Sequence, residues 1–273
     1  MYAGHGMGTP YLNLRGAMHL FKKIGLDAIE IRCAKDGQLD TTTADAEVLD
    51  LARKWQAETG IAIVCLTSYF RDFYSKQRSQ DIANLKRVVE IAHSLKCPLV
   101  RFYGGIDPVP EGLSRAAGWD KTVSALVEIA DYAAPMGVKL CIETHGGTLT
   151  FSAKDTLRMV KEANRPNVGV LLDYAWIAWA GEERVEQVVE SCAPYMVHFH
   201  YKDWRFDSKM GKKTACLMGE GSVPWPAVFK AVKAVGYKGP LTDEYEKYWH
   251  IEDLPEPEIG MKKNLEYVKR HLE

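Results

Sequence analysis

VKLCIETHGG at 138–147, VGVLLDYA at 168–175 and YMVHFHYKD at 195–203 are three short apolar runs, each carrying ionisable side chains at or near its carboxyl end. They are continuously apolar rather than alternating, the pattern of parallel strands covered on both faces. The texture recurs in AIEIRC (28–33), IAIVCLTSYF (61–70) and PLVRFYGG (98–105) upstream and in GPLTDEYE (239–246) downstream. Between the runs, apolar residues recur at three- and four-residue spacing, as in Ile82, Leu85, Val88, Val89, Ala92 and Leu95, which share one helical face. The same spacing predicts helices near 14–25, 43–59, 118–135, 153–164, 182–193, 224–235 and 258–272. Gly25, Gly60, Gly137 and Gly236 each stand between a helix and the next strand, where a residue that accepts the left-handed conformation stops the helix.

Strands follow one another at about 30–40 residues, the size of one strand–helix unit. The seven clear strands need an eighth, and it fits only at Tyr2–His5, with its loop at Gly6–Asn13. Eight units closing on themselves make a single (β/α)8 TIM barrel over residues 1–273, close to the ~250 residues such barrels use. An open doubly wound sheet is the rival. Its nucleotide-binding form needs a Gly-x-Gly-x-x-Gly turn after the first strand, and none stands there. Only 204–222, with WRFDSKMGKK, reads as a long insertion, and it follows strand seven, where barrel enzymes build their sites.

Composition narrows the function. The chain is 47% hydrophobic and 26% charged, and its 35 Lys+Arg against 36 Asp+Glu leave a net charge of −1. This excludes disordered and fibrous classes and argues against nucleic acid as a partner, which favours a basic surface. MYAGHGMGTPYLNL has neither the basic start nor the apolar core of a signal peptide, and no apolar run approaches the ~20 residues that span a bilayer. The six cysteines are scattered without a Cys-x-x-Cys pair, so they read as reduced, buried residues of a cytoplasmic protein.

Barrel sites sit at the carboxyl ends of the strands. Strand five ends in Glu143-Thr144-His145, strand six in Asp173, strand seven in His198 and His200 followed by Lys202-Asp203, and strand eight in Asp243-Glu244. Carboxylates and an imidazole from four consecutive strands can converge at the barrel mouth. Three oxygens and one nitrogen suit one divalent ion, Mn²⁺ foremost, with Co²⁺, Mg²⁺ or Zn²⁺ as alternatives. Arg101, inside strand four, needs a buried partner or a ligand. Tyr103, Trp176 and many other aromatic residues crowd the predicted mouth, and walls of that kind suit a carbohydrate. Lys202 and Arg205 are candidates for contacts to substrate oxygens.

The C-terminal half carries a resemblance. Gly219-x-Gly221-x-Val223-x-Trp225, the run Gly236-Tyr237-x-Gly239-Pro240-Leu241-Thr242-Asp243-Glu244, and His200-Tyr201-Lys202-Asp203 are similar to signatures of the xylose-isomerase-like barrel superfamily. That group includes tagatose 3-epimerase, inosose dehydratase and endonuclease IV relatives. Leu26-Asp27-Ala28-Ile29-Glu30 resembles the family's approach into strand two. The resemblance implies Glu143, Asp173, His200 and Glu244 as metal ligands, with Glu143 and Glu244 also exchanging a proton with a keto sugar or polyol through an enediolate. It therefore implies a metal-dependent isomerase or epimerase. A dehydratase or lyase on an inosose or 3-keto-glycoside, with the same proton abstraction followed by elimination, is the alternative. The sequence departs from the family at strand six, where Trp176 replaces a substrate-touching histidine of many epimerases, and His145 is a candidate to supply the lost imidazole. The endonuclease branch would need further histidines on strands three, four and six, which offer Thr67-Ser68-Tyr69, Arg101-Phe102-Tyr103 and Trp176 instead. A barrel that only binds sugar would be expected to have a broken ligand set, and here all four positions are filled. Family members often form dimers or tetramers, and the short first strand leaves room for a partner subunit.

Overall fold

The first, second and fifth α-helices start where a side chain satisfies a free backbone N–H and stop where the backbone turns left-handed. In the computed structural model, which describes residues 1–181, 183–207 and 209–273, Asn13 caps α1 (Leu14–Ile24) by accepting from the Gly16 N–H at 2.9 Å. Asp45, Ser114 and Ser152 do the same for α2 (Ala46–Thr59), α4 (Arg115–Ala133) and α5 (Ala153–Ala163). Gly25 ends α1 at φ +94° and Gly60 ends α2 at φ +74°, a region that costs a residue with a Cβ. The apolar face of α3 (Arg78–Ser94) is buried through Ile82, Leu85, Val88 and Val89, as its spacing predicts.

Among the described residues, eight parallel strands close into a barrel: β1 (Tyr2–His5), β2 (Ala28–Arg32), β3 (Ala62–Thr67), β4 (Leu99–Phe102), β5 (Lys139–Glu143), β6 (Val168–Asp173), β7 (Met196–Tyr201) and, after a hairpin, β10 (Leu241–Asp243), which pairs with both β7 and β1. The TIM barrel read from the sequence is therefore the fold. Its interior has two levels. Ala3, Ala28, Val64, Cys65, Leu99, Cys141 and Leu171 form a buried apolar plug. Two residues further along β4, β5 and β6 stand Arg101, Glu143 and Asp173. The register sets Asp173 beside His200, and His200 beside Thr242. Irregularities in pairing fall at Ile29/Glu30 and Val170/Leu171, just ahead of inward-facing polar residues, where such bulges commonly re-aim side chains.

Three stretches differ from the sequence reading. The run 168–175 stops as a strand at Asp173, whose carboxylate accepts from the Ala175 N–H at 3.1 Å and starts a short helix, α6 (Tyr174–Ala180). The helix expected at 182–193 is α7 (Val185–Cys192), and Glu182 lies outside the described residues. The run 195–203 breaks at Lys202. Asp203 then opens an antiparallel hairpin, β8 (Asp203–Asp207) with β9 (Lys212–Cys216), so the expected insertion at 204–222 is an ordered ribbon, with Ser208 outside the described residues. Helices α8 (Trp225–Ala234) and α9 (Pro257–Leu272) complete the outer layer. All six cysteines are free and buried, and no helix among the described residues is long and apolar enough to cross a membrane.

Candidate functional site

The motif residues of the C-terminal half first explain themselves as architecture. The Asp203 carboxylate accepts backbone N–H groups from Trp204 (2.9 Å), Gly219 (2.9 Å), Gly221 (3.1 Å) and Val223 (3.3 Å). A Cβ on Gly221 would lie 2.0 Å from Asp203 Oδ1, so only glycine lets the loop close around the carboxylate. Lys202, the preceding residue, points the other way, into the barrel.

There the four strand ends converge. One ligand atom each from Glu143, Asp173, His200 and Glu244 lies within 4.8 Å of the other three, and all four residues are buried. Glu143 Oε1 and His200 Nδ1 have no hydrogen-bond partner and Asp173 Oδ2 has the Lys202 ammonium beside it, an arrangement that costs stability unless something else occupies the remaining lone pairs. His200 Nδ1 is 3.3 Å from Glu143 Oε1 and 3.5 Å from Glu244 Oε2. The donor set suits a divalent ion such as those expected from the sequence.

Fixed cations flank the cluster. Arg101, itself buried, donates from Nη1 to Glu143 Oε2 at 2.9 Å and from Nη2 to the Ser68 carbonyl at 2.9 Å, with its guanidinium 4.2 Å from the ring centre of Tyr103. Lys202 pairs with Glu244 at short range, with Asp173 Oδ2 at 2.8 Å and with Glu246 Oε1 at 3.4 Å. Carboxylates outnumber these two cations. Burial tends to raise the Glu143 carboxyl, but the Arg101 guanidinium together with His145 and His200 outweighs it and holds the group at about 2. Burial similarly opposes Lys202 and His200 at Glu244, which ends well below the usual carboxylate range. At Asp173 burial prevails, helped by Glu244 and Glu143 against the partial relief from Lys202, and the group is pushed up to about 7. A further positive charge at the shared point would relieve that surplus.

Above the cluster opens a pocket of about 470 Å³ lined by Tyr69, Arg71, Arg101, Tyr103, His145, Trp176, Lys213, Glu244, Glu246 and neighbouring side chains. Arg101, Tyr103, His145 and Trp176 therefore stand where the sequence placed them. The His145 ring lies 4.6 Å from the nearer ring of Trp176 and edge-on to Tyr103 at 5.1 Å. Its Nδ1 is 2.6 Å from the Gly146 carbonyl. A carbonyl only accepts, so Nδ1 carries the hydrogen and Nε2 keeps its lone pair. Burial depresses the pKa of this imidazole.

Two expectations need correction. Arg205 is not at the pocket: its half-exposed guanidinium reaches Glu220 Oε2 at 2.9 Å on the outer side of the hairpin, because β8 turns alternate side chains away from the mouth. Lys202 is not open to substrate oxygens. It is buried among three carboxylates and between the Trp176 and Trp204 rings. Away from the mouth, Phe73 and Phe102 stack in the core at 5.1 Å, and Trp204 is buried with Nε1 donating to Glu246 Oε2 at 2.6 Å.

Sequence reading passed over Glu30, Arg71, Lys213 and Glu246 as site residues. Glu30 carried a usable signal, a charge inside the apolar run AIEIRC, as Arg101 did in its own strand. Lys213 carried none, because its position depends on how the hairpin folds back.

The comparisons with known proteins agree with the barrel fold. D-psicose 3-epimerase of Ruminiclostridium cellulolyticum is 24% identical over 163 residues, 59% of this chain and 52% of that protein. Inosose dehydratase of Geobacillus thermodenitrificans is 25% identical over 142 residues, 47% of each. The match thus spans about half the length of these curated relatives. A solved structure of D-allulose 3-epimerase from Methylomonas sp. in complex with D-allulose superimposes with a TM-score of 0.80 at 21% identity, covering 99% of this chain and 96% of that one. The family model described as xylose isomerase-like TIM barrel matches residues 18–271. With its closed barrel and a match over nearly its whole length, the chain belongs to the xylose isomerase-like TIM barrel family.

Proposed function

We propose that this protein is a divalent-metal-dependent sugar isomerase or epimerase that moves a proton beside the carbonyl of a keto sugar or polyol. The observation that carries the reading is the convergence of four buried ligand atoms, on Glu143, Asp173, His200 and Glu244, with Glu244 at the floor of an aromatic-walled pocket. These four residues would hold the ion, with Mn²⁺ as the first choice. A divalent ion bound there supplies Lewis acidity toward the substrate carbonyl and a counter-charge for an enediolate.

The chain's own residues do the rest. Glu143, kept ionised by Arg101, and Glu244, kept ionised by Lys202 and His200, are the two carboxylates able to take a proton from carbon and return one. Tyr103 and Trp176 wall the sugar and exclude water, and His145 Nε2 accepts from a substrate hydroxyl. Arg101 orients Glu143 through the bond at 2.9 Å.

Elimination is the second reading, a dehydratase or lyase acting on an inosose or 3-keto-glycoside. Its specific support is His145, a further titratable group in the pocket against the Trp176 ring, whose Nε2 would serve a departing oxygen once it has taken up a proton. Both readings share the first proton abstraction. Incubating keto substrates with the metal-loaded protein in deuterated water tests them together. Deuterium gained at carbon without fragment loss supports epimerisation, and gain with loss of water or an alcohol supports elimination. Glu143→Gln and Glu244→Gln should each lower exchange by about 10²–10⁴-fold. Near-native exchange in either variant overturns the acid/base assignment. Metal analysis should give one ion per chain, lost in Asp173→Asn.

A further inference from the structure

Below the four converging strand ends, a fifth carboxylate is buried that the proposed chemistry does not use. Glu30 on β2 is fully enclosed, as are His5, Thr67, His198 and His200 around it. Its Oε2 lies 2.7 Å from His198 Nε2 and 2.9 Å from His200 Nε2. Its Oε1 accepts the Thr67 hydroxyl and stands 3.9 Å from His5 Nε2. A buried carboxylate with two imidazoles on one oxygen is costly to build unless its charge is used.

One oxygen, Oε2, faces both imidazole nitrogens and meets the two of them only as an acceptor, so both Nε2 atoms carry hydrogen. For His200 that assigns the hydrogen to the nitrogen facing Glu30 and leaves Nδ1 as the basic one, aimed at Glu143 and Glu244. We propose that Glu30 is the positioning residue of the metal site: it takes the Nε2 hydrogen of His200, fixes the ring's orientation and tautomer, and so presents the Nδ1 lone pair to the ion. His198, bound to the same oxygen, steadies Glu30 from the other side. The inference rests on the metal reading above. Carboxylates in this role commonly govern affinity by 10–100-fold without touching the ion.

Glu30→Gln keeps the volume but replaces the charge with an amide that can also donate, which permits the ring to carry its hydrogen on Nδ1 instead. Titration calorimetry with Mn²⁺, and the visible absorption of the Co²⁺-loaded protein, should show about 10–100-fold weaker binding in Glu30→Gln and an altered cobalt spectrum. Glu30→Asp, which keeps the charge on a shorter arm, should recover part of the affinity. A role in folding alone would lower the melting temperature and leave the affinity of the folded fraction and the cobalt spectrum unchanged, and that result overturns the proposal. If neither variant folds, ¹⁵N histidine spectra of the wild-type protein decide: hydrogen on Nε2 of His200 supports it, and hydrogen on Nδ1 with Nε2 bare overturns it. Wild-type protein that binds no divalent ion at all would instead sink the metal reading, and this inference with it.

Discussion

Two levels of the same barrel interior differ by two residues of chain and by everything in their chemistry. Cys141 belongs to the apolar plug and Glu143 to the charged floor of the pocket, and the same step separates Leu171 from Asp173. A strand returns to one face every second residue, so these pairs stack one above the other inside the barrel. The lower level is stabilised by exclusion of water. The upper level gathers five carboxylates (Glu30, Glu143, Asp173, Glu244 and Glu246) around Arg101, Lys202 and a set of histidines. Burying charge is unfavourable unless each is paired, so the upper level depends on its pairs and the lower one on its shape.

The sharpest way to break that contrast is Arg101→Met. It leaves Glu143 buried without its guanidinium and should cost about 4 kcal/mol by chemical denaturation, with part regained on adding a divalent ion. An unchanged midpoint would mean that the upper level does not rely on this pair. Leu171→Ala addresses the lower level. It should cost about 3 kcal/mol through lost burial and the cavity left behind, and should leave metal affinity unaltered, as calorimetry would read. The smallest effect at neutral pH belongs to His5, which lies between the two levels, edge-on to His200 at 6.1 Å. Burial lowers its pKa to about 4, and its Nδ1 accepts the Met7 N–H at 2.9 Å. The unfolded chain then binds more protons than the folded one between about 4 and 6.5, so stability falls as pH drops through that window and is unaffected above it. His5→Asn, which keeps an acceptor for Met7, should flatten that slope. The gain should be on the order of 3 kcal/mol near pH 4 and absent at pH 7.5, measured by melting across the range.

Barrel geometry was legible because periodicity and glycine punctuation are local. Tyr2–His5 as the closing strand came from counting alone, and β1 occupies those residues. The convergence of Glu143, Asp173, His200 and Glu244 was legible for a related reason: strand ends of a barrel lie at one face, so four ionisable strand ends must be neighbours. What escaped was direction within loops and the ends of helices. Arg205 and Lys202 differ by only three positions, yet one is exposed on the far side of the hairpin and the other is buried among carboxylates, and only the path of β8 decides which. Glu30 escaped because its partners, His198 and His200, lie 168 and 170 residues away in sequence. The helix α6 was hidden because YAWIAWA after Asp173 is apolar on nearly every side and reads as a continuing strand.

Lys202 and Asp203 are adjacent, and one side chain secures the charge at the floor of the pocket while the other ties down the loop that forms its rim. Among the described residues of the hairpin tip, Lys209 and Met210 bond back to Asp207 and take no part in either anchorage. That makes the ribbon a modular component. Its tip can change in length and sequence without disturbing Lys202 among the buried carboxylates or the closing of residues 219–223 around Asp203.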